Sequence, residues 1–135
     1  MERVYTTPLL DKLGVRPGMR IAIVGDVDLD GSFRALLADR TSDVTVGRPN
    51  ADTDLVFLAA DSSAELADLA ALRKGIRPAG AIWVVSRKGR AATLRDVEVM
   101  AAAKKVGLVD NKVVSFSATH TSLRLVIPVA LRPRA

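Results

Sequence analysis

Ile21-Ala22-Ile23-Val24-Gly25-Asp26-Val27-Asp28-Leu29-Asp30-Gly31-Ser32-Phe33 is the stretch that decides the fold of this chain. Four apolar residues run into Gly25, aspartates alternate at positions 26, 28 and 30, and a helical pattern follows Gly31. A short apolar run ending in glycine reads as a buried strand and a tight loop. Strand, loop and helix start together form the place where open α/β sheets bind ligands.

Working outward, Thr7-Pro8-Leu9-Leu10-Asp11-Lys12-Leu13-Gly14 reads as a short helix. Thr7 is placed to cap it, Pro8 to occupy its first position and Gly14 to end it. Arg16-Pro17-Gly18 turns the chain into a strand over Met19–Val24. Downstream, a helix is expected over Ser32–Arg40 with Phe33, Leu36 and Leu37 facing inward, followed by a short strand, Asp43–Val46. A breaker cluster, Gly47-Arg48-Pro49-Asn50-Ala51-Asp52, leads to an apolar strand, Leu55–Ala60. Ser62 with Glu65 forms a capping box for a helix with Leu66, Leu69 and Ala70 on one face, ending at Gly75.

Arg77-Pro78-Ala79-Gly80 has the residues of a type I turn, and Ala81–Val85 is apolar on both faces, as a central strand must be. Ser86-Arg87-Lys88-Gly89-Arg90 is a basic loop. Thr93 with Asp96 reads as a second capping box, for a helix reaching Val106. Strands Lys112–Ala118 and Leu123–Val129 close the chain as a hairpin across Thr119-His120-Thr121-Ser122, with Leu123, Leu125, Ile127 and Val129 alternating inward. Repeated β-α units closing on a hairpin predict a three-layer α/β fold, a mostly parallel sheet with one antiparallel strand near its end. One connection is awkward. The residues between Val46 and Leu55 are too few for a crossover helix. Either the link runs extended across the sheet, or Asp43–Val46 is a frayed edge.

Composition narrows the classes. A chain of 135 residues is near the modal size of one domain, and 49% hydrophobic with 26% charged residues is an ordinary globular composition. Aromatics make up only 4%, so Val, Leu, Ile and Ala must build the core. Cysteine is absent, which excludes disulfides, thiolate metal sites and cysteine nucleophiles. No apolar run approaches the roughly 20 residues that span a bilayer, and the N-terminus lacks a signal-peptide layout, so a cytoplasmic location is expected by default. The net charge of +5 gives nucleic-acid binding only weak support, and no aromatic residues interleave the basic ones for base stacking.

The order of elements resembles the class I S-adenosylmethionine-dependent methyltransferase fold, which is Rossmann-like and also ends in a β-hairpin. The matching segments are Leu13–Arg20 before the first strand, Arg77–Val85 around a central one, and Gly107-Leu108-Val109-Asp110 before the hairpin. Over Lys12–Met19, Gly80–Gly89 and Gly107–Pro128 the chain is more closely similar to a bacterial family of short proteins with a trimmed form of this fold and no established function. The first resemblance implies S-adenosylmethionine as a possible cofactor. Three departures weigh against it. The glycine-rich loop after the first strand has only Gly25 and Gly31, with carboxylates between them. No acid stands after Val46 to accept from ribose hydroxyls, and a helix and strand that wall the adenine are lacking around residues 47–53. Asp61 and Ser62 match the region where methyltransferases place catalytic residues, by position only.

Other chemistries remain open at the same loop. Asp26-x-Asp28-x-Asp30-Gly31 has the opening of a calcium loop, but Leu37 stands where its bidentate glutamate belongs. The alternative is a solvated loop in which Asp30 or Ser32 caps the next helix. Asp28-Leu29-Asp30-Gly31 resembles the nucleophile loop of haloacid-dehalogenase-type, magnesium-dependent phosphatases, with Ser86 and Lys88 in the place of that family's phosphate-binding pair. No later acidic pair completes that metal site. Arg87, Lys88, Arg90 and Arg95 either capture an anionic small molecule or pair with the aspartates of the loop. His120, the sole histidine, reads as a turn residue and Trp83 as core.

The expectation is one methyltransferase-like domain over residues 1–135, acting by binding or interaction. It includes a homodimer through the hairpin edge and no metal. The candidate ligand-binding residues are Gly25, Asp26, Asp28, Asp30, Gly31, Asp61, Ser62, Ser86, Arg87 and Lys88. The rival is a small enzyme: a divergent methyltransferase, or a phosphatase.

Overall fold

A computed structural model describes residues 8–27, 31–49 and 51–132. Six strands form one sheet: β1 (Ile21–Val24), β2 (Val44–Val46), β3 (Thr53–Ala59), β4 (Ile76–Arg87), β5 (Val109–Ser115) and β6 (His120–Val126). Their order across the sheet is β2-β1-β3-β4-β6-β5, and only β6 runs against the rest. Helices α1 (Leu9–Lys12) and α2 (Ser32–Arg40) cover one face; α3 (Leu69–Gly75), entered through a 3₁₀ turn at Glu65–Asp68, and α4 (Asp96–Lys105) cover the other. This is the three-layer α/β architecture expected from the alternation of elements.

Each face has its own core. On the first, Leu10, Leu13, Phe33 and Leu37 pack on Ile21, Ile23, Phe57 and Trp83. On the second, Leu66, Leu69, Leu72 and Val99 pack on Val56, Leu58, Ile82 and Leu125. Successive residues of β3 and β4 feed opposite cores, which is why both strands are apolar on both sides.

The awkward connection holds no helix among its described residues, which form bends and a turn, and β2 is a three-residue edge strand. From Val46 the chain returns to start β3 on the far side of β1. Six extended residues reach about 20 Å, and a strand of four residues needs about 13 Å, so no helix is required. The link lies on the α3 side: a Cβ built on Gly75 would stand 2.7 Å from Pro49 Cγ. It ends at Asp52, which takes a left-handed φ of 65°.

Several local expectations are corrected. Pro8 is the N-cap residue of α1 and not its first helical position, and Thr7 lies outside the described residues. Leu36 is 46% exposed, because the inward stripe of α2 is only Phe33 and Leu37 wide. Ala70 is exposed and Leu72 takes its place, since the 3₁₀ turn before α3 rotates the helix face. Thr93 does not cap α4. Its hydroxyl donates to the Asp61 carbonyl (2.5 Å), the helix starts at Asp96, and the Arg95 N–H donates to Glu98 Oε1 (3.1 Å).

The expected turn at Arg77–Gly80 is a bulge inside β4. Between the register pairs Thr53↔Ile76 and Leu55↔Ala81 the chain of β4 carries extra residues, a position that tolerates Pro78. The hairpin strands begin and end three residues earlier than expected. Phe116 leaves the strand to enter the core, and its N–H and that of Ser117 both donate to the His120 carbonyl. Ser117 Oγ accepts from the N–H groups of Thr119 (3.2 Å) and His120 (3.1 Å), so serine chemistry closes the turn. Val129 is 75% exposed beyond the last strand.

Candidate functional site

The carboxyl ends of β1, β3 and β4 and the start of β6 lie at one end of the sheet. From β1 the chain goes through α2 to β2 on one side, then crosses to β3 on the other. The crevice between β1 and β3 is therefore a topological switch point, where open sheets bind ligands.

At that point Gly25 takes a φ of 81°, and a Cβ built there would lie 3.3 Å from Ala59 Cβ and 3.5 Å from the Ala59 carbonyl oxygen. The turn after β1 thus folds tightly against the end of β3. Gly31 is the N-cap residue of α2, with φ 79°, so Ser32 does not have that role, and the expected cap at Asp30 lies outside the described residues. Asp28 and Asp30 lie outside the described residues, and with them the phosphatase and calcium readings of the loop. Leu37, at the twelfth position of a calcium loop, is fully buried in the core and offers no oxygen.

Asp61, Ser62 and Arg87 are brought together, Arg87 bonded to Asp61 and Ser62 to Glu65. Asp61 Oδ1 accepts from the Arg87 N–H (2.8 Å), with the Arg87 guanidinium 3.9 Å from Oδ2. Ser62 Oγ donates to Glu65 Oε1 (3.1 Å), and the same carboxylate accepts from the Asp61 N–H (3.0 Å), which is the capping box read from the sequence. Ser86 is buried on the α3/α4 side of β4, alternating with Val85. Lys88 Nζ donates to Ser115 Oγ (2.7 Å), and its N–H to the Thr119 carbonyl. Among the described residues, Arg87 pairs with Asp61 and the Lys88 ammonium with Ser115. These contacts staple the ends of β3, β4 and β5. Asp61→Ala is expected to cost about 1–2 kcal/mol, since it strips a charged acceptor from a main-chain N–H; urea midpoints measure the loss, and Asp61→Asn should recover part of it.

Of the candidate residues, Asp26 faces a cavity of about 290 Å³. Its other walls were not singled out from the sequence for this purpose: Leu36, Phe33 and Phe116 form an apolar side, and Ser117, Thr119 and His120 a polar rim. Phe33 and Phe116 pack with ring centroids 4.7 Å apart, joining α2 to the hairpin turn. His120 is the first residue of β6, not a turn residue, and its Nδ1 lies 2.8 Å from Thr119 Oγ1. Leu36, read from the sequence as inward-facing, is exposed and faces this cleft, which periodicity along its own helix does not signal.

Two features of the described residues depart from a nucleoside site of this fold. β2 ends at Val46, 64% exposed, followed by Gly47 and Arg48, so no carboxylate stands at the end of this strand. Pro49 packs against Gly75, and no helix stands between β2 and β3 among the described residues, where an adenine wall would need further chain. Also among the described residues, no group of three or more His, Cys, Asp or Glu is placed to hold a metal ion, and no helix is long and apolar enough to cross a membrane.

Comparison with solved structures returns methyltransferase-like folds. A SAM dependent methyltransferase from Aquifex aeolicus superposes with a TM-score of 0.63 at 15% identity, over 88% of this chain and 87% of that one. The precorrin 8W decarboxylase of Methanobacterium thermoautotrophicum gives 0.59 at 13%, over 87% and 86%. Magnesium protoporphyrin IX methyltransferase from Synechocystis PCC 6803, a structure with bound SAM, gives 0.57 at 12%, over 87% and 74%. Identities this low establish the shared Rossmann-like fold. No curated protein sequence matches the chain. A family model does match, over residues 10–129, and by it this chain belongs to the proteins of unknown function grouped as DUF3052.

Proposed function

We propose that this chain is a methyltransferase-like domain that works by binding and not by methyl transfer, with its ligand held in the crevice between the β1 loop and the hairpin turn. The observation that carries this reading is the direct link from β2 to β3. Among the described residues no helix intervenes there to wall a nucleotide, while a cavity of about 290 Å³ stands between the β1 loop, α2 and the hairpin turn. A pocket with an apolar wall and a few convergent polar groups is the usual form of a small-molecule site. Here the wall is Phe33, Leu36 and Phe116, and the polar groups are Asp26, Thr119 and His120.

The rival, a divergent S-adenosylmethionine-dependent methyltransferase, draws support from the structural neighbours that carry that activity. Titration with S-adenosylhomocysteine by isothermal calorimetry separates the two. The expected result is no saturable heat at ligand concentrations up to several hundred micromolar. Saturable binding at micromolar ligand overturns the non-catalytic reading.

A further inference from the structure

A second recess lies away from the crevice, on the open part of the α1/α2 face. The core under α1 and α2 runs on to Val126 of β6 and Val114 of β5, and beside it, between the end of α1 and the hairpin strands, the same face of the sheet carries polar residues. Trp83 of β4, Arg124 of β6 and Lys112 of β5 stand abreast there, in register with one another. With Lys12, Gly14 and Asn111 they line a recess of about 190 Å³.

Two cations directly opposite on neighbouring strands repel, and such a pair is destabilising unless something offsets it. The described residues offer little offset. Arg124 makes one long hydrogen bond, from Nη1 to Asn111 Oδ1 (3.4 Å). Lys112 Nζ donates to the Lys12 carbonyl (2.9 Å) at the end of α1, and Arg132 Nε to the Ile127 carbonyl (2.9 Å). The four ion pairs among the described residues involve Arg20, Arg40, Arg77 and Arg87, none of this group. Burial, and then the positive charge of Arg132, hold the Arg124 guanidinium below its ordinary pKa. The recess is a concentration of positive charge whose neutralising partner is absent among the described residues.

We infer that this recess, framed by Lys12, Lys112 and Arg124, is a binding site for a phosphate-type dianion. The guanidinium of Arg124 still has free N–H donors in the fork geometry that fits a tetrahedral oxyanion, and Lys112 has two more. A volume of about 190 Å³ accommodates a phosphate group. A dianion is selected over a carboxylate because three cations line or adjoin the recess and one negative charge leaves most of the repulsion in place. The site is independent of the β1–hairpin crevice, so it stands whether or not the chain binds S-adenosylmethionine.

The test uses the full chain, titrated with sodium phosphate and, separately, with sodium acetate, at ionic strength held constant with sodium chloride. Calorimetry and thermal melting give the readouts. The expected result is saturable phosphate binding with an accompanying rise in Tm, and acetate at least tenfold weaker. Arg124→Met, which keeps the apolar stem and removes the charge, is expected to weaken phosphate at least tenfold. Lys112→Met, at an exposed position where folding is not at stake, is expected to weaken it severalfold. Absence of saturable phosphate binding, equal affinity for acetate, or phosphate affinity unchanged in Lys112→Met would each overturn the assignment.

Discussion

Trp83→Ala is expected to be the most damaging single substitution in this chain, lowering stability by about 3–5 kcal/mol. Trp83 is the largest fully buried side chain, packed in the core under α1 and α2. Its removal leaves a cavity in a layer held by β3, β4 and β6 that cannot collapse without breaking their ladders. The indole Nε1 also donates to the Leu13 carbonyl (3.1 Å), next to the end of α1, so the substitution strands a buried acceptor as well. Domains of this size are stable by only about 5–15 kcal/mol, so the loss is a large share of the total. Since Trp83 is the only tryptophan, urea unfolding should be followed by far-ultraviolet circular dichroism and not by indole fluorescence. A midpoint shift under 1 kcal/mol would show that the core beneath α1 is loosely packed. Trp83→Phe separates the contributions: it keeps most of the ring volume and loses the hydrogen bond, and is expected to cost about 1–2 kcal/mol.

Gly80→Ala is expected to cost about 1–3 kcal/mol although it adds one methyl group. A Cβ at this position would stand 2.8 Å from the Asp54 carbonyl oxygen and 3.1 Å from those of Thr53 and Arg77. All three neighbours are backbone atoms, and two belong to β3, an interior strand paired on both sides. The same corner is held by Asp54, whose carboxylate accepts from the Arg20 N–H (2.8 Å) and from Arg77 Nη1 (3.0 Å). The alanine methyl must therefore push apart the β3–β4 bulge or displace a stapled turn. Chemical denaturation measures the cost. An unchanged midpoint would mean that the bulge is soft enough to absorb a methyl, and that the Asp54 contacts do not restrain it.

Much of the architecture was legible because apolar runs and breakers are local signals. The strand ending at Val24, helix Ser32–Arg40 and the doubly apolar β4 lie where periodicity places them. The ends of elements were less legible. Thr93 and Asp96 have the spacing of a capping box, yet the Thr93 hydroxyl is claimed by the Asp61 carbonyl from another part of the chain. Phe116 continues an apolar run in sequence, but contact with Phe33 draws it out of β5 and shifts the hairpin. At the crevice, Gly25 and Asp26 were readable from the strand-loop-helix pattern. His120 and Leu36 were not, because they reach the same cavity from elements far apart in sequence.

By itself the sequence determined the class of fold and the location of its ligand-binding end, since both follow from the order of buried strands, turns and helices. It also determined which nucleotide-binding groups are lacking after Val46, since absent carboxylates are visible without coordinates. Only the tertiary structure decided what the charged residues do. Arg87 meets Asp61, Lys88 meets Ser115, and Arg124 faces Lys112 across a strand register that no local pattern encodes. Charge pairing depends on side chains within a few ångströms of each other, and that proximity arises from how strands align in the sheet, not from spacing along the chain.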